Sequence, residues 1–118
     1  MGLISLLGME FFAYHGCNPE EQKKGNNFLV DLEFFASSDE AEKSDDLSKT
    51  IDYQKVYNLV KQEMEIKSKL LENVARRILD SLFENYPLMG SAKIIVSKLD
   101  PPLGGNVSKV SVTLTKQC

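Results

Sequence analysis

The chain has 118 residues, 42% of them hydrophobic and 26% charged, with a formal net charge of −3. That is the balance expected of one soluble globular domain over residues 1–118, not of a disordered or fibrous chain. No apolar run approaches the roughly 20 residues a membrane helix needs, and no basic cluster extends beyond Lys23-Lys24, so neither a membrane nor nucleic acid is an expected partner.

The start, Met1-Gly2-Leu3-Ile4, lacks the basic n-region of a secretion signal. Two cysteines, Cys17 and Cys118, make no disulfide framework, and with the single His15 they are too few for a several-ligand zinc site. A cytoplasmic protein without metal is the expectation. Leu3 to Tyr14 reads as a long first strand interrupted at Gly8, where a bulge is expected; its alternation is poor, which suggests burial on both faces, one of them against another subunit. Tyr14 to Pro19 supplies turn residues, and the polar stretch from Glu20 to Asn26 reads as a surface loop.

Phe28, Val30, Leu32, Phe34 and Ala36 then alternate with Leu29, Asp31, Glu33 and Phe35, a second strand expected to pair antiparallel with the first. Ser37 to Lys49, dense in Ser, Asp and Glu, reads as a solvated connector without chemistry. Asp52 is a good N-cap for a helix with Tyr53, Val56, Tyr57, Val60 and Met64 at helical spacing. A break at Ile66-Lys67-Ser68 precedes a second helix carrying Leu71, Val74, Ala75, Ile78 and Leu82 and ending near Tyr86-Pro87. Ser91 to Lys98 reads as a third strand, and Gly104-Gly105-Asn106 turns into a fourth with Val110, Val112 and Leu114 on one face. The order predicts an α+β fold, ββααββ, with two helices on one face of a four-stranded antiparallel sheet. The other face and both edges are left open, and closing several subunits into a shared barrel would cover them.

Lys98 shares its strand face with Ala92, Ile94 and Val96, and Leu99-Asp100-Pro101-Pro102 ends the pairing directly after it. Two readings stand. Its carbon stem can lie on apolar surface while the ammonium reaches water, or partial desolvation can favour the neutral amine, so that the residue exchanges protons as general acid and base. Glu72 lies in the first turn of the second helix, where a carboxylate either serves the helix dipole and Arg76 or binds a ligand. Tyr53 alone reads as a core residue, Glu21 alone as a loop carboxylate, and His15 as a turn-stabilising residue.

Taken together, Gly8-Met9-Glu10-Phe11 with Tyr14-His15-Gly16, Glu21 before Gly25, Ile51-Asp52-Tyr53, Leu70-Leu71-Glu72 and Lys98-Leu99-Asp100-Pro101-Pro102 closely resemble the dihydroneopterin aldolase family of folate biosynthesis. The similarity runs in order from near residue 2 to near residue 115. It implies the tunnelling fold, a homo-octamer of two stacked tetramers with sites at subunit interfaces. It also implies a cofactor-free and metal-free retro-aldol cleavage of 7,8-dihydroneopterin into 6-hydroxymethyl-7,8-dihydropterin and glycolaldehyde. Carried over by position, Lys98 is the acid/base residue, Tyr53 a proton-transfer partner from the neighbouring subunit, and Glu21 a carboxylate near the hydroxylated side chain and the lysine. Glu72 accepts hydrogen bonds from the pterin, with Leu71 and Ile51 touching it through backbone and apolar atoms. Asn73, where relatives often have histidine, and Leu99 and Gly104 in a loop usually rich in proline, depart from the pattern. The rival readings are an epimerase or oxygenase on the same scaffold, and a non-catalytic oligomeric binding module.

Overall fold

The computed structural model describes residues 1–118. Its elements are β1 (Gly2–Ala13), α1 (Pro19–Lys24), β2 (Asn26–Ala36), α2 (Asp39–Ser44), a 3-10 turn (Leu47–Lys49), α3 (Tyr53–Glu65), α4 (Leu71–Asn85), β3 (Met89–Leu99) and β4 (Lys109–Gln117). All four strands pair antiparallel in the order β1-β2-β3-β4. The outer edges of β1 and β4 carry no partner strand, as the ββααββ reading required. No helix is long and apolar enough to cross a membrane.

The core lies between one face of the sheet and the two long helices. Phe28, Val30, Leu32 and Phe34 of β2 and Ile94 and Val96 of β3 are fully buried against Val56, Val60, Val74, Ile78 and Leu82. Each large apolar side chain buried this way contributes about 1.5–3 kcal/mol. The two central strands are therefore the most firmly held part of the molecule, and Lys98 sits at the end of one of them, paired opposite Phe28.

The poor alternation of β1 has a geometric cause. Gly8 has φ 69°, in the region that favours glycine, and the register with β2 shifts between Leu6 and Met9. The set in register with the buried residues of β2 thus changes from Ile4 and Leu6 to Met9 and Phe11, and the Gly8 amide donates to Asp31 Oδ1 at 2.7 Å. Leu3, Leu7 and Phe12 remain exposed.

Two segments differ from the sequence reading. The stretch read as a surface loop holds α1, because Asn18 and Glu21 form a reciprocal capping box and Pro19 opens the helix, while Gly25 closes it. The acidic connector holds α2 and the 3-10 turn, the latter capped by Asp46, which accepts from the Ser48 amide. α3 starts as expected, with Asp52 accepting from the Gln54 amide at 2.9 Å.

Candidate functional site

At the end of β3 the chain is fixed from three sides. Asn26 Nδ2 donates to the Leu99 carbonyl at 2.9 Å, the Asp100 amide donates to the Ser108 carbonyl at 2.9 Å, and Pro101 is buried. Asp100 takes φ 45°, a conformation that aspartate tolerates better than most residues. Lys98 therefore projects from a rigid support toward the core side of the sheet. Its Nζ donates to Glu21 Oε2 at 2.5 Å and stands 5.9 Å from the Phe28 ring centroid. The two side chains are only 11% and 16% exposed. A charge pair so far removed from water interacts strongly and holds one geometry.

Glu21 is delivered by α1, whose other ties are local. Gln22 Nε2 donates to the Gly16 carbonyl at 2.8 Å, and a Cβ on Gly16 would stand 2.7 Å from the Glu21 carboxyl carbon, so the carboxylate packs directly on that glycine. Next to the pair lies an open cleft of about 320 Å³ lined by Asn18, Glu20, Glu21, Lys24, Gly25, Asn26, Asp100 and Pro102, with no large apolar side chain among them.

His15 is 1% exposed. Its Nδ1 accepts from the Ser68 amide at 3.1 Å, its ring meets Phe28 edge to face, and Nε2 has no hydrogen-bond partner. Burial first, and then the Arg77 guanidinium, lower its pKa to about 4 from 6.5; the Met64 carbonyl pulls the other way and Lys98 adds to the lowering. The histidine is a neutral packing and turn-fixing group at neutral pH. Because the unfolded chain binds the proton below about 6.5 and the folded chain only below about 4, stability is lost as pH falls through that window, by roughly 3 kcal/mol. Denaturant unfolding at pH 7 and pH 4 checks this: His15→Gln should show a smaller acid loss than the parent, and an unchanged loss would contradict it.

Leu71 and Glu72 open α4 near this end of the sheet, three and four residues after Ser68. Leu71 is buried, whereas Glu72 is exposed and has neither ion pair nor hydrogen bond within the protomer. Arg76, its supposed i,i+4 partner, is instead 3.9 Å from Asp80. The helix-pairing reading of Glu72 therefore fails. No side chain caps the N-terminus of α4.

Ile51 and Tyr53 are at the opposite end. Ile51 lines a cleft of about 390 Å³ with residues that include Thr50, Asp52, Lys55 and Tyr86, close in sequence to the start of β3. Burial, with Asp52 nearby, raises the Tyr86 phenol pKa. Between there and Lys98 the strand runs about 30 Å at the usual rise. Ile51 is buried, but Tyr53 is 60% exposed and is no core residue; the apolar stripe of α3 begins at Val56. One protomer thus brings Lys98 and Glu21 together, with Leu71 and Glu72 at the same end, and leaves Ile51 and Tyr53 beyond their reach. Residues the sequence reading passed over are Gln22, Asn26 and Phe28, which seat the pair, and Arg77, whose guanidinium gathers the turn before α4.

The chain as a whole is similar to a set of known proteins. The family model described as FolB, dihydroneopterin aldolase, matches residues 4–115. A dihydroneopterin aldolase of Streptococcus pyogenes serotype M18 is 37% identical over 118 residues, covering 99% of both chains. Among solved structures, Escherichia coli dihydroneopterin aldolase in complex with neopterin superposes with TM-score 0.90 at 20% identity, covering 98% of this chain and 99% of that one. Urate oxidase from Bacillus subtilis shares the tunnelling fold at TM-score 0.70 and 8% identity, with 98% of this chain and 46% of that one covered.

Proposed function

The chain belongs to the dihydroneopterin aldolase family, and we propose from that membership and from the part-buried Lys98–Glu21 pair how it cleaves 7,8-dihydroneopterin in folate biosynthesis. It is a carbon–carbon lyase. The proton leaving the side-chain hydroxyl turns its carbon into the aldehyde of glycolaldehyde. The electron pair of the breaking bond passes into the adjacent ring C=N group, and the carbon left on the ring then takes up one proton to become the hydroxymethyl group. Protons lost and gained are equal, so the protein needs only to carry them. The electron sink belongs to the substrate, and no lysine Schiff base is required.

Lys98 is the proton carrier in this reading. Glu21 faces the polyol side chain and holds the lysine in place, while Glu72 accepts from the pterin amino group and ring N–H, with Leu71 beside it. Ile51 and Tyr53 come from a second copy, Tyr53 as the partner in proton transfer. What supports the shared site is the separation of the two halves within a protomer, together with open β1 and β4 edges and exposed Leu3, Leu7 and Phe12 on the uncovered face. An octamer of two stacked tetramers satisfies all three. The whole chain, residues 1–118, acts as one domain in the cytoplasm.

The carrying observation is the Lys98–Glu21 contact, and product analysis tests the reaction. Incubation with 7,8-dihydroneopterin should release glycolaldehyde and 6-hydroxymethyl-7,8-dihydropterin in equal amounts; an epimerised or oxidised pterin without glycolaldehyde would overturn it. For the pterin grip, Glu72→Ala should lose roughly 1–3 kcal/mol of affinity, since two buried donors are left without an acceptor. Equilibrium titration with 6-hydroxymethyl-7,8-dihydropterin reads this directly, and equal affinity would remove Glu72 from the site.

A further inference from the structure

Arg77 commits its whole guanidinium to one short region. Nη1 donates to the Glu63 carboxylate at 2.7 Å and to the Glu63 carbonyl at 3.0 Å. Nη2 donates to the Ile66 carbonyl and to Ser68 Oγ, both at 2.8 Å, and Nε to Asn73 Oδ1 at 3.4 Å. The Glu63 carbonyl also accepts from the Ile66 amide at 3.2 Å, which closes α3, and the Ile66 carbonyl lies just past the helix end. A planar fork of five donors can bind both carbonyls, the Glu63 carboxylate and Ser68 together, and so fix the break between α3 and α4.

From Ser68 the restraint passes to the reacting pair. The Ser68 amide donates to His15 Nδ1 at 3.1 Å and the Ser68 carbonyl accepts from the Gly16 amide at 3.0 Å, so residues 15 and 16 are held by both backbone groups of one serine. Gly16 in turn seats the Glu21 carboxylate, with room only for hydrogen at its Cα. A second branch runs from Ser68 Oγ, which donates to Asn73 Oδ1 at 2.6 Å in the first turn of α4.

We propose that Arg77 is a positioning residue for the reaction: through Ser68 and Gly16 it holds the Glu21 carboxylate against Lys98 without touching substrate. The inference rests on the roles given above to Lys98 and Glu21. Misplacement of a reacting group by about 1 Å costs on the order of 100-fold in rate, so a guanidinium two residues removed from the pair can matter to turnover.

A double-mutant cycle on kcat tests it in the assembled enzyme. Arg77→Met should lower kcat by about 30-fold in the parent, but by less than about 3-fold in a Glu21→Gln background, where the group it positions is already lost. Arg77→Lys keeps the charge without the fork and should give an intermediate loss; it carries the same cycle if Arg77→Met fails to assemble. Unchanged kcat in the assembled Arg77 variants, or a full-sized loss in the Glu21→Gln background, would overturn the inference and leave the reaction reading standing. Parent-level kcat in Glu21→Gln alone would overturn both.

Discussion

Lys98→Ala should lower kcat for the cleavage of 7,8-dihydroneopterin by about 100- to 10,000-fold, the range general acid–base groups supply, while the assembly and pterin binding persist. Loss of the ammonium also leaves Glu21 in a site only 16% open to solvent without its partner, and an unpaired carboxylate there costs stability. Lys98→Arg separates the two effects. It keeps a positive charge for Glu21, but a guanidinium does not give up its proton at any pH the protein survives. Lys98→Arg should therefore be nearly as inactive as Lys98→Ala yet closer to the parent in thermal unfolding. Parent-like turnover in Lys98→Arg would mean that the residue acts as a fixed charge and not as a carrier of protons.

Tyr53→Phe should come next in size, with kcat reduced about 100-fold or more if the phenol is the second proton-transfer group. The change removes one oxygen from a side chain that is 60% exposed and has no hydrogen bond within its protomer. Substitutions at such positions usually alter stability by less than about 0.5 kcal/mol. A large rate effect with an unchanged unfolding midpoint is thus a signature that a structural role would not produce. Unimpaired turnover would return Tyr53 to the surface.

Much of this arrangement could be read before any coordinates. Two-residue alternation put Lys98 on the apolar face, and the pairing of Lys98 with Phe28 and of Val96 with Val30 bears that out. Asp52 as a helix cap and Gly8 as a break in the first strand follow from local chemistry, and the structure has both. What could not be read were contacts across the chain. Glu21 meets Lys98 over a separation of 77 residues, and the segment carrying it reads as a loop from its polar composition although Asn18 and Glu21 have the spacing of a capping box. For Tyr53 only the core reading that helical spacing offers by itself fails: the buried stripe of α3 starts at Val56, and at the helix start a residue can turn away from the core. The role of Arg77 has no sequence signal, because its partners are spread over the end of α3, the turn at Ile66 and Ser68, and the first turn of α4, and hydrophobic periodicity does not address such polar contacts.

The claim on which the account turns is that Lys98 of one copy and Tyr53 of another serve the same reaction. Subunit mixing tests it most directly. Lys98→Ala and Tyr53→Phe chains, each nearly inactive alone, are unfolded, combined in equal amounts and reassembled. If each site draws its two groups from different copies, about one quarter of the sites in a random assembly regain both, and cleavage should return to about one quarter of the parent rate. If both groups act within a single chain, no intact site can form, and a rate no higher than that of the separate variants would contradict the shared site.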